Sequence, residues 1–443
     1  MGAVIGIVCK EERMKDAIGV AIRPVHELTT VWKRQRRNWR IVAARQVVNR
    51  FFMEFNRAYL NVYITELGAS PVDLGIVNSF TGISNALISV PLGWLQDRYS
   101  LRKLFLMGIG LLAIVPLIYA LATNWTFMIP AMMIAALASR EGSCLVICNI
   151  CLENGDRITA KSICEGIGRI PSLFAPIAAA YVITLFGGIS VEGIRPLFWI
   201  QFAVRCILFL FVATQMTEIA RPQLDWSDAE KKRFGFSGAF RELFEQGTFL
   251  KRWILFATIS SFSRMMVMSF RYPFAHEIKG AEEFTIGVLA TAAVLLQIAA
   301  YTPIGKVADK IGRKKTLYML MPVVWMSNLM FVLAPTPEIL VVASFLNGFE
   351  MVAMVVRNAM SAELVPREYM GRWTGVLGLF VGLVSIPAPV VGGIVWERIG
   401  PEYVFLIPIA LDLIVRLPLL ITMPETLHAR TRSCVNASSR SGW

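Results

Sequence analysis

Charge is scarce in this chain. Only 17% of its 443 residues are Asp, Glu, Lys or Arg, against roughly 25% in soluble domains. With a mean hydropathy of +0.58, that scarcity excludes an ordinary water-soluble enzyme. Histidine is rarer still: His26, His276 and His428 are too scattered to build a metal or catalytic site. The seven cysteines show no paired spacing in the polar loops, so no disulfide framework is expected. Cys144, Cys148 and Cys151 fall at i, i+4 and i+7, where soft thiolates share one helix face. Small residues at a helix contact explain them more simply. No nucleophile motif, phosphate loop or metal-ligand spacing occurs, and Gly166-Ile167-Gly168 follows no strand, so it is not a nucleotide fingerprint. The sequence therefore predicts no catalytic residue, no metal and no cofactor.

Long apolar runs are what the chain does have. They recur at about 20 residues each, enough to cross a bilayer. Spans are expected near 42–66, 72–96, 103–122, 126–152, 158–186 and 196–218, then near 249–276, 283–308, 315–333, 338–362, 368–397 and 400–423. This divides the chain into a basic N-terminal segment (1–40), a six-helix bundle (41–218), a charged linker (219–248), a second six-helix bundle (249–423) and a polar tail (424–443). The start lacks the basic stretch of a signal peptide, and no Ser or Thr at position 6 supports myristoylation.

The net charge of +13 invites a nucleic-acid reading, but its distribution argues for a membrane. Loops on one side, with both termini, hold 31 of the 44 Lys and Arg residues, while the alternate loops hold only Arg195, Lys279 and Arg398. That is the positive-inside pattern with both ends cytoplasmic, and the basic face suits anionic lipid. No nucleic-acid partner is expected, and nothing calls for an oligomer. The plasma membrane is the default location.

Two stretches organise the rest. Gly93-Trp94-Leu95-Gln96-Asp97-Arg98-Tyr99-Ser100-Leu101-Arg102-Lys103 recurs as Gly305-Lys306-Val307-Ala308-Asp309-Lys310-Ile311-Gly312-Arg313-Lys314-Lys315. Gly68/Gly280, Gly75/Gly287, Pro91/Pro303, Gly93/Gly305 and Asp97/Asp309 all lie 212 apart, which marks an internal repeat. The two copies resemble the signature loops of the major facilitator superfamily. In the first copy Ser100 and Leu101 stand where the pattern has Gly and Arg. The resemblance implies an all-α membrane protein of twelve transmembrane helices in two pseudo-symmetric six-helix bundles, with a transport site between them near mid-bilayer. It further implies a conformational latch at Gly93, Asp97, Arg98, Arg102, Gly305, Asp309, Lys310 and Arg313.

Ten basic residues remain inside the spans, all of them arginine. A charge at the bilayer centre costs at least about 2.5 kcal/mol, so these side chains should face a cavity or a partner. Arg50, Glu54, Arg57 and Asn61 form one polar stripe on the first span, and Arg264 and Arg271 repeat the arginine spacing on the seventh. Matched arginines on these two helices are similar to those of the superfamily's organophosphate antiporters. Arg50, Arg57, Asn61, Arg264 and Arg271 are therefore the substrate-binding candidates, although ion pairing within each helix explains any single arginine as well. Arg140 stands in a context similar to the family's fourth-helix arginine motif. With Glu54, Glu141 and Glu350 it makes up the proton-coupling candidates, against the alternative of structural pairs such as Glu350–Arg357. Pro387, Pro389, Gly392 and Gly393 predict a bend in the eleventh span, similar to the family's antiporter bend. The expected function is secondary transport of a small organic solute, leaning anionic, coupled to protons or a counter-anion. A proton-coupled multidrug exporter and a non-transporting receptor or scaffold are the alternatives.

Overall fold

A computed structural model describes residues 37–83, 100–141, 168–218, 249–365 and 370–426. Among these residues the chain is helical, with no strand. Helix α1 spans Arg37–Glu66 and α2 residues 71–83; α3 is Leu101–Leu121, α4 Met128–Glu141, α5 Arg169–Leu185 and α6 Val191–Gln215. In the second half α7 spans Leu250–Pro273, α8 Glu283–Ile311, α9 Arg313–Leu333 and α10 Pro337–Glu363. Helix α11 is broken into Met370–Ser385 and Ala388–Arg398, and α12 runs from Tyr403 to Ile421 through a π turn at Asp412–Arg416. Eight of the described helices are long and apolar enough to cross a membrane. The linker 219–248 lies outside the described residues.

Local chemistry sets the helix ends. Ser70 and Asp73 cap α2 reciprocally, each accepting from the other's backbone N–H at 3.1 and 3.0 Å. Ser100 and Ser190 cap α3 and α6 through their hydroxyls. Gly68 and Gly280, 212 apart, both take positive φ (87° and 65°) in the turns that end α1 and α7. A side chain would be strained there, so the sequence repeat is also a backbone repeat. The break in α11 falls at Ile386-Pro387, where a missing amide N–H and the ring of Pro387 stop the helix ladder.

The halves meet by backbone on backbone at the end of the molecule that carries Gly68 and Gly280. A Cβ on Gly75 of α2 would lie 2.4 Å from the Pro389 carbonyl oxygen of α11, and one on Gly393 of α11 would lie 2.4 Å from that of Pro71. Gly287 of α8 repeats the device against Pro176 O of α5 at 2.8 Å. Gly392, beside Gly393, packs on Phe270 and Met266 instead. Hydrogen bonds cross the same seam, from Tyr59 Oη to Glu283 O (2.8 Å) and from Ser79 Oγ to Ile386 O (2.5 Å). Glu397 accepts from Val72 N at 3.2 Å. The main apolar cluster spans both halves here, including Tyr59, Ala179, Phe270, Phe274 and Ile286. A second cluster, around Trp253, Phe256, Leu317, Met360 and Trp373, lies within the second half alone.

Candidate functional site

Between the halves lies a cavity of about 380 Å³. Helices α1, α2, α7, α8, α9, α10, α11 and α12 contribute to its wall. Its polar groups include Glu54, Arg57, Asn61, Arg264, Arg271, Asn328, Glu350, Asp412 and Arg416. Its apolar wall includes Leu60, Met265, Met268, Trp325 and Met351. Of the five substrate-binding candidates, four line this space. Arg50 does not: its stem packs against Gly168 at the start of α5.

The charges are mostly balanced in pairs. Arg57 donates to Glu54 at 3.1 Å. Glu350 accepts from Arg357 at 2.7 Å, and Asp412 from Arg416 at 2.5 Å. Every acidic side chain on the wall thus has an arginine. Of the four arginines on the wall, two have no carboxylate within ion-pair range among the described residues. Arg264 reaches only Ser261 Oγ at 3.4 Å, a hydroxyl that Ser385 of α11 also bonds at 2.8 Å. Arg271 donates one terminal nitrogen to Asn328 Oδ1 at 3.2 Å and lies over the Phe331 ring at 4.8 Å. Its other terminal nitrogen, Nη1, is buried with no acceptor. A buried cationic donor left unsatisfied is costly.

Asn61 donates to Ser269 O of α7 at 2.8 Å and so ties the first helix to the seventh. Asn78 of α2 bonds Asn61 in turn at 3.4 Å. Among the proton-coupling candidates, Glu54 and Glu350 face the cavity in ion pairs, while Arg140 and Glu141 end the described part of α4. Of the latch residues, Gly93, Asp97 and Arg98 lie outside the described residues. Arg102 donates to Ala213 O at 2.9 Å. Arg313 bridges Asp309 (2.5 Å) and Glu363 (3.3 Å), both in its own half, while Gly305 has open space around it and Lys310 is exposed. Glu425 caps the same turn, accepting from Arg313 N (2.8 Å) and Lys314 N (3.1 Å).

Sequence reasoning did not single out Asn328, Trp325 or the Asp412–Arg416 pair as site residues. The i,i+4 spacing of Asp412 and Arg416 was the available signal. Asn328 and Trp325 carry none, because their partners are far away in the chain.

A family model described as Major Facilitator Superfamily matches residues 46–282 and 255–433. An uncharacterized MFS-type transporter of Methanocaldococcus jannaschii is 23% identical over 366 residues, 78% of this chain and 85% of its own length. The multidrug resistance protein MdtG of Proteus mirabilis is 25% identical over 291 residues, 61% of this chain and 68% of that protein. The gentisate transporter of Corynebacterium glutamicum is 27% identical over 146 residues, 30% of this chain and 31% of that protein. Among solved structures, the nucleoside transporter NupG superposes with a TM-score of 0.70 at 17% identity, covering 88% of this chain and 100% of that one.

Proposed function

The chain belongs to the Major Facilitator Superfamily, a family of multi-pass membrane transporters, and on that premise we propose that it carries small organic anions by alternating access. The observation that carries the reading is Arg271: a buried guanidinium on the wall of the central cavity, with one nitrogen on Asn328 and the other unmatched. Guanidinium groups suit carboxylate, sulfonate and phosphate oxygens because their N–H groups form a planar fork. Arg264, two helical turns away on α7, adds a second cation at roughly 10 Å along the axis. The methionine and aromatic wall suits an anion with an apolar body.

The positive-inside pattern of the loops is read here as both termini cytoplasmic, and on that orientation the close-packed Gly68 end faces outward. The pairs of Arg313 with Asp309 and Glu363 stay within the second half here. The two signature loops latch across the halves in the opposite state. Binding energy moves the equilibrium between these states only as far as the anion prefers one of them.

A multidrug exporter is the second reading. It is favoured by Met265, Met268, Met351 and Trp325 on the cavity wall and by the similarity to MdtG. Uptake into liposomes carrying the purified protein separates the two, with benzenesulfonate and small carboxylates set against the lipophilic cation tetraphenylphosphonium. Flux of the anions that falls at least tenfold in Arg271→Ala, the loss of about 1.5–3 kcal/mol expected for a charged hydrogen bond, is the predicted result. Flux of the cation alone overturns the anion reading in favour of the exporter. Flux of neither leaves a receptor or scaffold.

A further inference from the structure

Helix α12 widens into a π turn at Asp412–Arg416, on the cavity wall. Such turns redirect side chains and concentrate at functional sites. Both oxygens of Asp412 are used: Oδ1 accepts from Arg416 Nη1 at 2.5 Å and Oδ2 from Trp325 Nε1 of α9 at 2.8 Å. Arg416 commits one terminal nitrogen to this bond. Its Nε is buried without an acceptor, and its guanidinium lies over the Phe256 ring of α7 at 5.2 Å. The other charged groups around the pair are Glu350 and Arg357 of α10, bonded to each other; Arg264 of α7 neighbours those two instead. Trp325 and Asn328 stand three apart on α9 and so share a face. One holds Asp412 and the other holds Arg271. Adjacent side chains of one helix thus support the buried carboxylate and the unmatched arginine.

We propose that Asp412 is the proton site of the transport cycle, loaded when an anion binds between Arg271 and Arg416. This rests on the anion reading above. The entering anion accepts the hydrogen bond that Arg416 now gives to Asp412. Asp412 keeps the Trp325 N–H but loses its counter-charge, and a buried carboxylate without a counter-charge takes a proton. That proton comes from the bulk solution, relayed by cavity water, onto Oδ1, the oxygen Arg416 has left; no covalent bond to the anion forms. Anion and proton then favour each other's binding by the same factor, and they cross together as a symport.

Benzenesulfonate is the probe, because its sulfonate stays ionised from pH 5 to 8 and brings no proton of its own. Titration calorimetry of the purified full-length protein, in buffers of different ionisation heat, counts protons taken up per anion bound. Wild type takes up about one proton per benzenesulfonate near neutral pH. Asp412→Asn binds benzenesulfonate and takes up none, while Glu192→Gln, at the exposed start of α6 and away from the cavity, keeps the uptake. Trp325→Phe, which strips the remaining donor from Asp412, moves the uptake profile to higher pH. Binding by wild type without proton uptake, or undiminished uptake in Asp412→Asn, overturns the proposal alone. Where Asp412→Asn does not fold, identical pH profiles for wild type and Trp325→Phe overturn it. Failure of wild type to bind benzenesulfonate removes the anion reading, and this inference with it.

Discussion

Helices α1 and α7 carry the same pair of arginines, Arg50 and Arg57 on one and Arg264 and Arg271 on the other, 214 positions apart. Their chemistry differs because of one residue. Three positions before Arg57 stands Glu54, which pairs with it at 3.1 Å. Three positions before Arg271 stands Met268, which cannot. The first helix therefore places a neutralised pair on the cavity wall, while the seventh places there a cation with one buried nitrogen unmatched. A duplicated element has kept its arginines but differs in the neighbour on the same helix face. A matched arginine in the sequence is thus not evidence of matched function until its partners are known.

The largest expected effect comes from making α7 resemble α1. Met268→Glu places a carboxylate where it can pair with Arg271, as Glu54 does with Arg57. Benzenesulfonate affinity by calorimetry falls more than about a hundredfold, from loss of a charged hydrogen bond worth up to about 3 kcal/mol and from added like-charge repulsion. Met268→Gln, similar in size but uncharged, changes it by less than about 0.5 kcal/mol. Equal losses in the two variants would mean that bulk at position 268, not charge, decides the site.

The seal gives the next effect. Gly75→Ala or Gly393→Ala puts a Cβ 2.4 Å from a carbonyl oxygen of the opposite half. Backbone cannot yield as a side chain does, so the closed Gly68 end weakens by about 1–3 kcal/mol. A membrane-impermeant maleimide then labels Leu60→Cys faster from the outer side of proteoliposomes. Unchanged labelling would show that this seam does not govern access. Making α1 resemble α7 is gentler: Glu54→Met frees Arg57 and raises benzenesulfonate affinity about tenfold, the equivalent of one charged hydrogen bond. Smallest is Asn328→Ala, which releases the nitrogen of Arg271 that Asn328 holds and costs affinity about fivefold, near 1 kcal/mol. No change there would detach Asn328 from the site.

Much of the fold was legible because its signals are local or periodic. The apolar runs, the glycines 212 apart and the prolines of α11 all state backbone requirements within a few residues of where those requirements act. Gly68 and Gly280 mark matching turns, and Pro387 marks the break. The cavity arginines were legible as a cost, since charge in an apolar run demands an explanation. Their partners were legible only within one helix: Glu54 with Arg57, and Glu350 with Arg357. Asn328 with Arg271 and Trp325 with Asp412 join residues 57 and 87 positions apart, and no spacing rule reaches that far. The π turn at Asp412–Arg416 left no mark on composition either. It shows only where α12 packs against α7 and α9.

The most direct test of the divided arginines is benzenesulfonate binding by Arg57→Ala and Arg271→Ala, measured by calorimetry side by side with wild type. The account predicts at least a tenfold loss for Arg271→Ala, as for a charged hydrogen bond removed, and a change of less than about threefold for Arg57→Ala, whose pair with Glu54 leaves the anion site untouched. Equal losses in both, or a loss confined to Arg57→Ala, would contradict it.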